Sequence, residues 1–143
     1  MIEPGVGAGA ARRGRPAAPG GGCGAGSIAW AAVTVLLVTH PRYLDHETGA
    51  WHPERPARID AVLAGVQRSG LEDEIVRVEA RAATRAEVER VHPTAFLDAL
   101  ERFCAAGGGN IDGDTVAVEA SWDAALLAAG AGLDAIERLD RGE

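Results

Sequence analysis

The stretch Tyr43 to Ile59, YLDHETGAWHPERPARI, decides how the rest of the chain is read. It places His46 and His52, the carboxylates Asp45, Glu47 and Glu54, Trp51 and two prolines between an apolar run and an amphipathic pattern. Gly49 allows a turn in its first half, and Pro53 and Pro56 stiffen the second. A loop of this composition, mounted between a strand and a helix, is where binding and catalytic groups collect. Trp51 reads as exposed.

On the amino-terminal side, Val33 to Val38 is rich in β-branched residues and stops at Thr39-His40-Pro41. It is too short to span a membrane and predicts a buried strand of a parallel sheet. Residues 1–32 are a Gly/Ala/Pro/Arg-rich extension, and 1–27 in particular hold almost nothing able to fill a core, which predicts disorder. Arg12, Arg13 and Arg15 ahead of the apolar run from Ile28 resemble a secretory pattern. However, no A-x-A cleavage site precedes Thr39, and the rest of a twin-arginine signal is missing. A cytoplasmic protein with its domain at 33–143, and a natural start near Val33, is expected.

On the carboxyl side, Ile59, Val62, Leu63 and Val66 form one face of a helix from Pro56 to Ser69, stopped by Gly70. Glu74 to Glu79 alternates enough for a short strand, and Thr84-x-x-Glu87 is a capping box opening a brief helix to Val91. His92 reads as a cap, and Pro93 suits the first turn of a helix lined by Phe96, Leu97, Leu100, Phe103 and Cys104 and stopped by Gly107-Gly108-Gly109. A loop from Asn110 to Val118 follows. From Ser121, Trp122, Leu126, Ala129, Leu133, Ile136 and Leu139 mark a long helix whose small residues permit close packing. Four helices against one or two parallel strands leave a sheet without enough neighbours. Either another chain completes it or this is the front of a longer protein.

A chain of 143 residues has room for one core. Its net charge of -7 argues against nucleic acid or an anionic membrane as partner. Two cysteines, Cys23 and Cys104, are too few for a disulfide framework or zinc ribbon and fit a reducing compartment. By residue type alone, His46 and His52 with Asp45, Glu47 and Glu54 are either a metal cluster or a solvated polar loop. The spacing favours neither a zinc helix motif nor a serine-nucleophile elbow or phosphate loop, and the triple glycine follows a helix, not a strand.

Four features occur in order: the strand leading into H-x-x-x-x-x-H-P-E-R-P-x-R-I; A-T-R-A-E-V-E-R-V-H-P-T-A-F-L-D-A-L; a glycine turn with N-I-D-G-D-T; and S-W-D-A-A-L-L-A-A-G-A-G-L. Together, over Val35 to Glu143, they resemble the amino-terminal part of the zinc-dependent histone deacetylase and acetoin-utilisation family. The resemblance implies an α/β chain, an incomplete amino-terminal portion of the three-layer arginase/deacetylase fold, mostly helical in this segment. It also implies an amidohydrolase acting on acylated amines, acetyl-lysine or acetylpolyamine. It puts His52 and Pro53 on the rim of the active-site tunnel and Arg58 beside an internal channel. Asp114 falls where the family holds the substrate backbone, with Asp112 a second candidate. On the residues alone, Arg58 is equally an ion-pair partner and Asp114 a turn-former beside Gly113.

In the family, the histidine pair, Asp-x-His, later Asp and tyrosine of the zinc site follow the long Ala/Gly helix. None of those motifs occurs here, so no catalytic residue and no zinc ligand is expected in this segment. Zinc belongs to the complete enzyme, where the metal polarises the acyl carbonyl and activates water. The expected partners are the acylated substrate and a complementing carboxy-terminal half or a second copy. A non-catalytic binding or regulatory module pairing with a separate catalytic half is the alternative reading, and a small helical interaction domain without enzyme ancestry is a third.

Overall fold

The computed structural model describes residues 35–143. The expected disorder of residues 1–27, and Val33 and Thr34 of the predicted strand, lie outside the described residues. Strand β1 (Val35–Thr39) leads through a 3-10 turn (Pro41–Asp45) and the histidine-rich loop into α1 (Ala57–Ser69), and the chain returns as β2 (Ile75–Glu79). The two strands pair in parallel, Val35 opposite Ile75 through Thr39 opposite Glu79. A parallel pair requires such a crossover, and α1 supplies it. Pro56 stands at the N-cap of α1 and Gly70 ends it in the left-handed conformation at φ 72°, a backbone geometry glycine adopts without a Cβ penalty.

Strand β1 is less enclosed than predicted: Val35 is 51% exposed and its remaining residues are only half-buried. Its β-branched composition fits a strand with helices on both faces, but in the described chain one parallel neighbour and few helices cover it.

After β2, Thr84 and Glu87 form the capping box reciprocally at the start of α2 (Arg85–Val88). The helix proper ends three residues before the expected Val91. Pro93 is the N-cap of α3 (Thr94–Ala105) in an extended conformation, one place earlier than a first-turn position. His92 does not cap that helix; its ring lies against Phe96 with centroids 5.6 Å apart.

The expected loop from Asn110 to Val118 is bounded by a hairpin. Strands β3 (Gly108–Asn110) and β4 (Val116–Val118) pair antiparallel. Gly107, with φ 101°, ends α3 as predicted, but Gly108 and Gly109 belong to the strand. At Gly108, φ is 73° and a Cβ would overlap the Ala117 carbonyl, so glycine here permits close pairing of backbones as well as a helix stop.

Helix α4 (Ser121–Asp140) closes the fold. Of the stripe expected from the sequence, Trp122, Leu126 and Leu133 pack on the core, but the fully buried positions are Leu127 and Gly130, and Ile136 is 60% and Leu139 58% exposed. The reason is the segment leaving β2, which lies directly on the helix. Ala83 N–H donates to the Leu126 carbonyl at 2.8 Å, and a Cβ on Gly130 would overlap the Arg81 carbonyl and come within 2.6 Å of Ala83 N. The small residues thus do allow close packing, against a strand-like backbone. The centre of the core is Ala83, Val88 and Leu97, with Trp122, Leu126 and Leu133 packed on it. Arg81 bonds both carboxylate oxygens of Glu87 at 3.0 and 2.8 Å and reaches Glu137 at 3.4 Å, joining α2 to α4. Arg85 joins α2 to α3 through Asp98 and Glu101.

Candidate functional site: the rim loop and the Asp112 to Asp114 turn

The 3-10 turn after β1 is anchored at both ends. His40 Nδ1 accepts from Arg42 N–H at 3.1 Å, and Arg42 pairs with Asp123 of α4 at 2.8 Å. His46, half-buried, bonds Ser121 Oγ at 2.7 Å through Nδ1, and the same oxygen accepts from Val118 N–H at 2.7 Å. The loop is therefore fastened to the start of α4 and the end of β4. Neither the His46 to Ser121 contact nor the part played by Ser121 was expected; a serine opening a helix reads as a local cap.

His52 makes the longest bridge. Glu54 N–H donates to its Nδ1 at 3.1 Å, and its Nε2 lies 3.1 Å from the Asp114 carbonyl, 62 residues away in sequence. A backbone N–H only donates and a carbonyl only accepts, so the two partners select one tautomer, with Nδ1 bare and Nε2 carrying the proton. The Glu54 carbonyl, which accepts from the Thr48 hydroxyl, is also 3.2 Å from Nδ1, but a proton on Nδ1 in a neutral ring would leave Nε2 without a proton to donate to the Asp114 carbonyl. Arg55 donates to the Ala50 carbonyl at 2.6 Å, which holds the loop beneath Trp51.

Across the bridge, Asp114 N–H donates to Asp112 Oδ1 at 3.1 Å, and Ile111 N–H donates to the Thr115 carbonyl at 2.8 Å. Bonds from the Thr115 hydroxyl and from Asp114 N–H hold the Asp112 carboxyl below its ordinary range, because they favour the charged form. The Asp114 carboxylate is left on the surface, with Thr115 Oγ1 at 3.5 Å from Oδ1. The two aspartates therefore differ: Asp112 is spent on the turn, and Asp114 has its backbone fixed and its side chain available. The structure brings His52, Pro53 and Asp114 together around one open cleft of 420 Å³, walled also by Thr48, Gly49, Trp51 and Gly113. Trp51 is 96% exposed there.

Arg58 lies apart from that cleft. It lines a larger, mostly apolar groove of 630 Å³ with Tyr43, His46, Ile59, Val62, Leu100, Val116 and Ser121. Burial raises the Tyr43 phenol above its ordinary pKa, and burial likewise raises the thiol of Cys104 on the same wall.

A catalytic zinc needs about three protein ligands and an open position. His46 and His52 sit on different partners, and among the described residues no three His, Cys, Asp or Glu side chains gather closely enough to hold a metal ion. The loop residues do not fit a zinc centre. Among the same residues no helix is long and apolar enough to cross a membrane.

Residues 52–143 match the model of the histone deacetylase domain. A probable deacetylase of Archaeoglobus fulgidus is 34% identical over 103 residues, covering 71% of this chain and 28% of its own length. An uncharacterized protein of Synechocystis is 30% identical over 108 residues, covering 73% of this chain and 36% of that protein. The crystal structure of the HDA15 HD domain superposes with a TM-score of 0.64 at 31% identity, covering 73% of this chain and 31% of that one. The chain thus spans about a third of the length of these relatives, and its βαβ unit, hairpin and long helix have the arginase/deacetylase fold. The matched stretch begins at His52 and takes in the Asp112 to Asp114 turn and all of α4, so the chain belongs to the histone deacetylase family.

Proposed function

We propose that this chain forms the rim and substrate-positioning part of a deacetylase domain that removes acyl groups from acylated amines, acetyl-lysine or acetylpolyamine. The observation that carries the reading is the bridge from His52 to Asp114: it joins the loop His52 and Pro53 to the turn bearing an available carboxylate, on one cleft. An acylated lysine in a peptide presents backbone N–H groups, and a surface carboxylate whose own backbone is fixed suits them as a charge-assisted acceptor. Arg58, in the separate apolar groove, serves the interior side of the same domain.

Zinc supplies the Lewis acid and the activated water in this family's chemistry. The described residues do not fit it, so its ligands belong to the rest of the domain, in the same polypeptide or a separate one. The partner surface for that remainder is the 630 Å³ groove together with the open edges of the two-stranded sheet.

The test is a titration of the chain with a peptide containing ε-acetyl-lysine and with its unacetylated counterpart, followed by amide chemical shifts. Shifts confined to residues 48–54 and 111–115, and weaker in Asp114→Ala, are expected. Shifts elsewhere, or an unchanged response in Asp114→Ala, would contradict the assignment.

A further inference from the structure

We infer that His52 is a positioning residue that fixes the Asp114 carboxylate through the Asp114 backbone, by donating its Nε2 proton to the Asp114 carbonyl. The inference rests on the reading of Asp114 as the substrate contact and adds the group that sets its direction. Asp114 is held at both ends of its own unit: its N–H by Asp112 Oδ1 at 3.1 Å and its carbonyl by His52 Nε2 at 3.1 Å. With both fixed, the carboxylate, which Thr115 Oγ1 approaches at 3.5 Å, is the part of Asp114 left to meet a ligand.

The ring is itself locked. Glu54 N–H occupies Nδ1 at 3.1 Å, which sets the tautomer in which Nε2 is the donor. The Glu54 carbonyl, 3.2 Å from Nδ1, would call for the opposite tautomer, but that tautomer would leave the bare Nε2 facing the Asp114 carbonyl, which can only accept. Pro53, between the two anchors, limits the loop's freedom at the same point. A histidine whose two nitrogens meet two backbone groups, one of them across the cleft, sets the distance between rim and turn.

Two variants separate the ring's two bonds. In His52→Asn the side-chain oxygen stands near the place of Nδ1 and keeps an acceptor for Glu54 N–H, but the side chain is too short for Asp114. In His52→Gln the amide N–H reaches the place of Nε2 and keeps the bond to Asp114. Hydrogen exchange of the full chain is expected to be about fivefold faster at Ile111 and Asp114 in the Asn variant, as loss of one ordinary hydrogen bond produces, and near the parent rate in the Gln variant. The Leu97 and Cys104 amides, in the core, stay protected in both. Affinity for the ε-acetyl-lysine peptide follows the same pattern, weakened in Asn and restored in Gln.

Equal acceleration in both variants, acceleration in neither, or loss of core protection in the Asn variant would overturn the positioning role. If the parent chain does not bind the peptide, the reading of Asp114 as a substrate contact fails, and the exchange comparison still decides whether His52 sets the turn.

Discussion

Two aspartates two residues apart do different work. Asp112 accepts from the turn's own backbone, and Asp114 keeps its carboxylate outward. In a complete deacetylase domain carrying this segment, Asp114→Ala is expected to lower kcat/KM by about 1 to 3 kcal/mol of transition-state binding with zinc content unchanged. Asp112→Ala is expected to act through the turn, raising exchange at the Asp114 amide while costing less in kcat/KM. Equal kinetic losses for the two, with no change in exchange, would merge their roles. Little of this was legible beforehand. The resemblance marked both positions, but only the fold shows which carboxylate is consumed locally, because an Asx-type bond depends on backbone direction that residue identity leaves open. The bridge from His52 spans 62 residues, and no local pattern encodes a contact of that separation.

At the scale of elements, local rules served where local bonds decide. The capping box at Thr84 and Glu87, the Gly70 stop of α1 and the start of α4 were all readable, because each rests on a few adjacent residues. The hairpin of β3 and β4 was missed since three residues per strand give no periodicity, and the glycines that permit it look the same as a helix stop. The α4 face was legible at Trp122, Leu126 and Leu133, which pack on the core, but not at Gly130, where the backbone of residues 81–83 packs and selects glycine over a larger apolar residue. Gly130→Ala is therefore expected to destabilise the chain by about 1 to 3 kcal/mol, measured by urea denaturation; a neutral effect would show that the 81–83 segment moves away at little cost. Glu87 gives a pH test. Bonds from Arg81, then from Thr84, lower its pKa from 4.5 to about 2. A carboxyl depressed on folding contributes stability above its ordinary pKa, and loses it as pH falls through the folded value. The parent's melting temperature should thus drop between pH about 4.5 and about 2. In Glu87→Gln it should be lower at neutral pH and fall less across that window; an identical acid profile in the two would remove Glu87 from the account.

At the scale of the whole molecule, eight buried hydrophobic side chains, three of them alanine, make the core of the described residues. Val35, Val62, Val76, Ile136 and Leu139 are each about half or more exposed. The chain spans about a third of its relatives' length, and under the proposed reading these faces are where the rest of a deacetylase domain packs. The count of strands against helices was legible in the sequence, and among the described residues β1 and β2 pair only with each other. Residues 1–27 are expected to be dispensable because their composition offers little to pack. Deleting them should leave the melting temperature unchanged, and a fall of several degrees would show that they dock.

The central claim is that this chain supplies rim and positioning groups and no zinc centre of its own. Titrating the purified chain with zinc while assaying an ε-acetyl-lysine peptide tests it directly. The expected result is weak, non-stoichiometric binding without turnover, since among the described residues neither His46 nor His52 joins two further ligands. Tight binding of one zinc per chain with zinc-dependent release of acetate would contradict it and make the His46 to Glu54 loop a metal site.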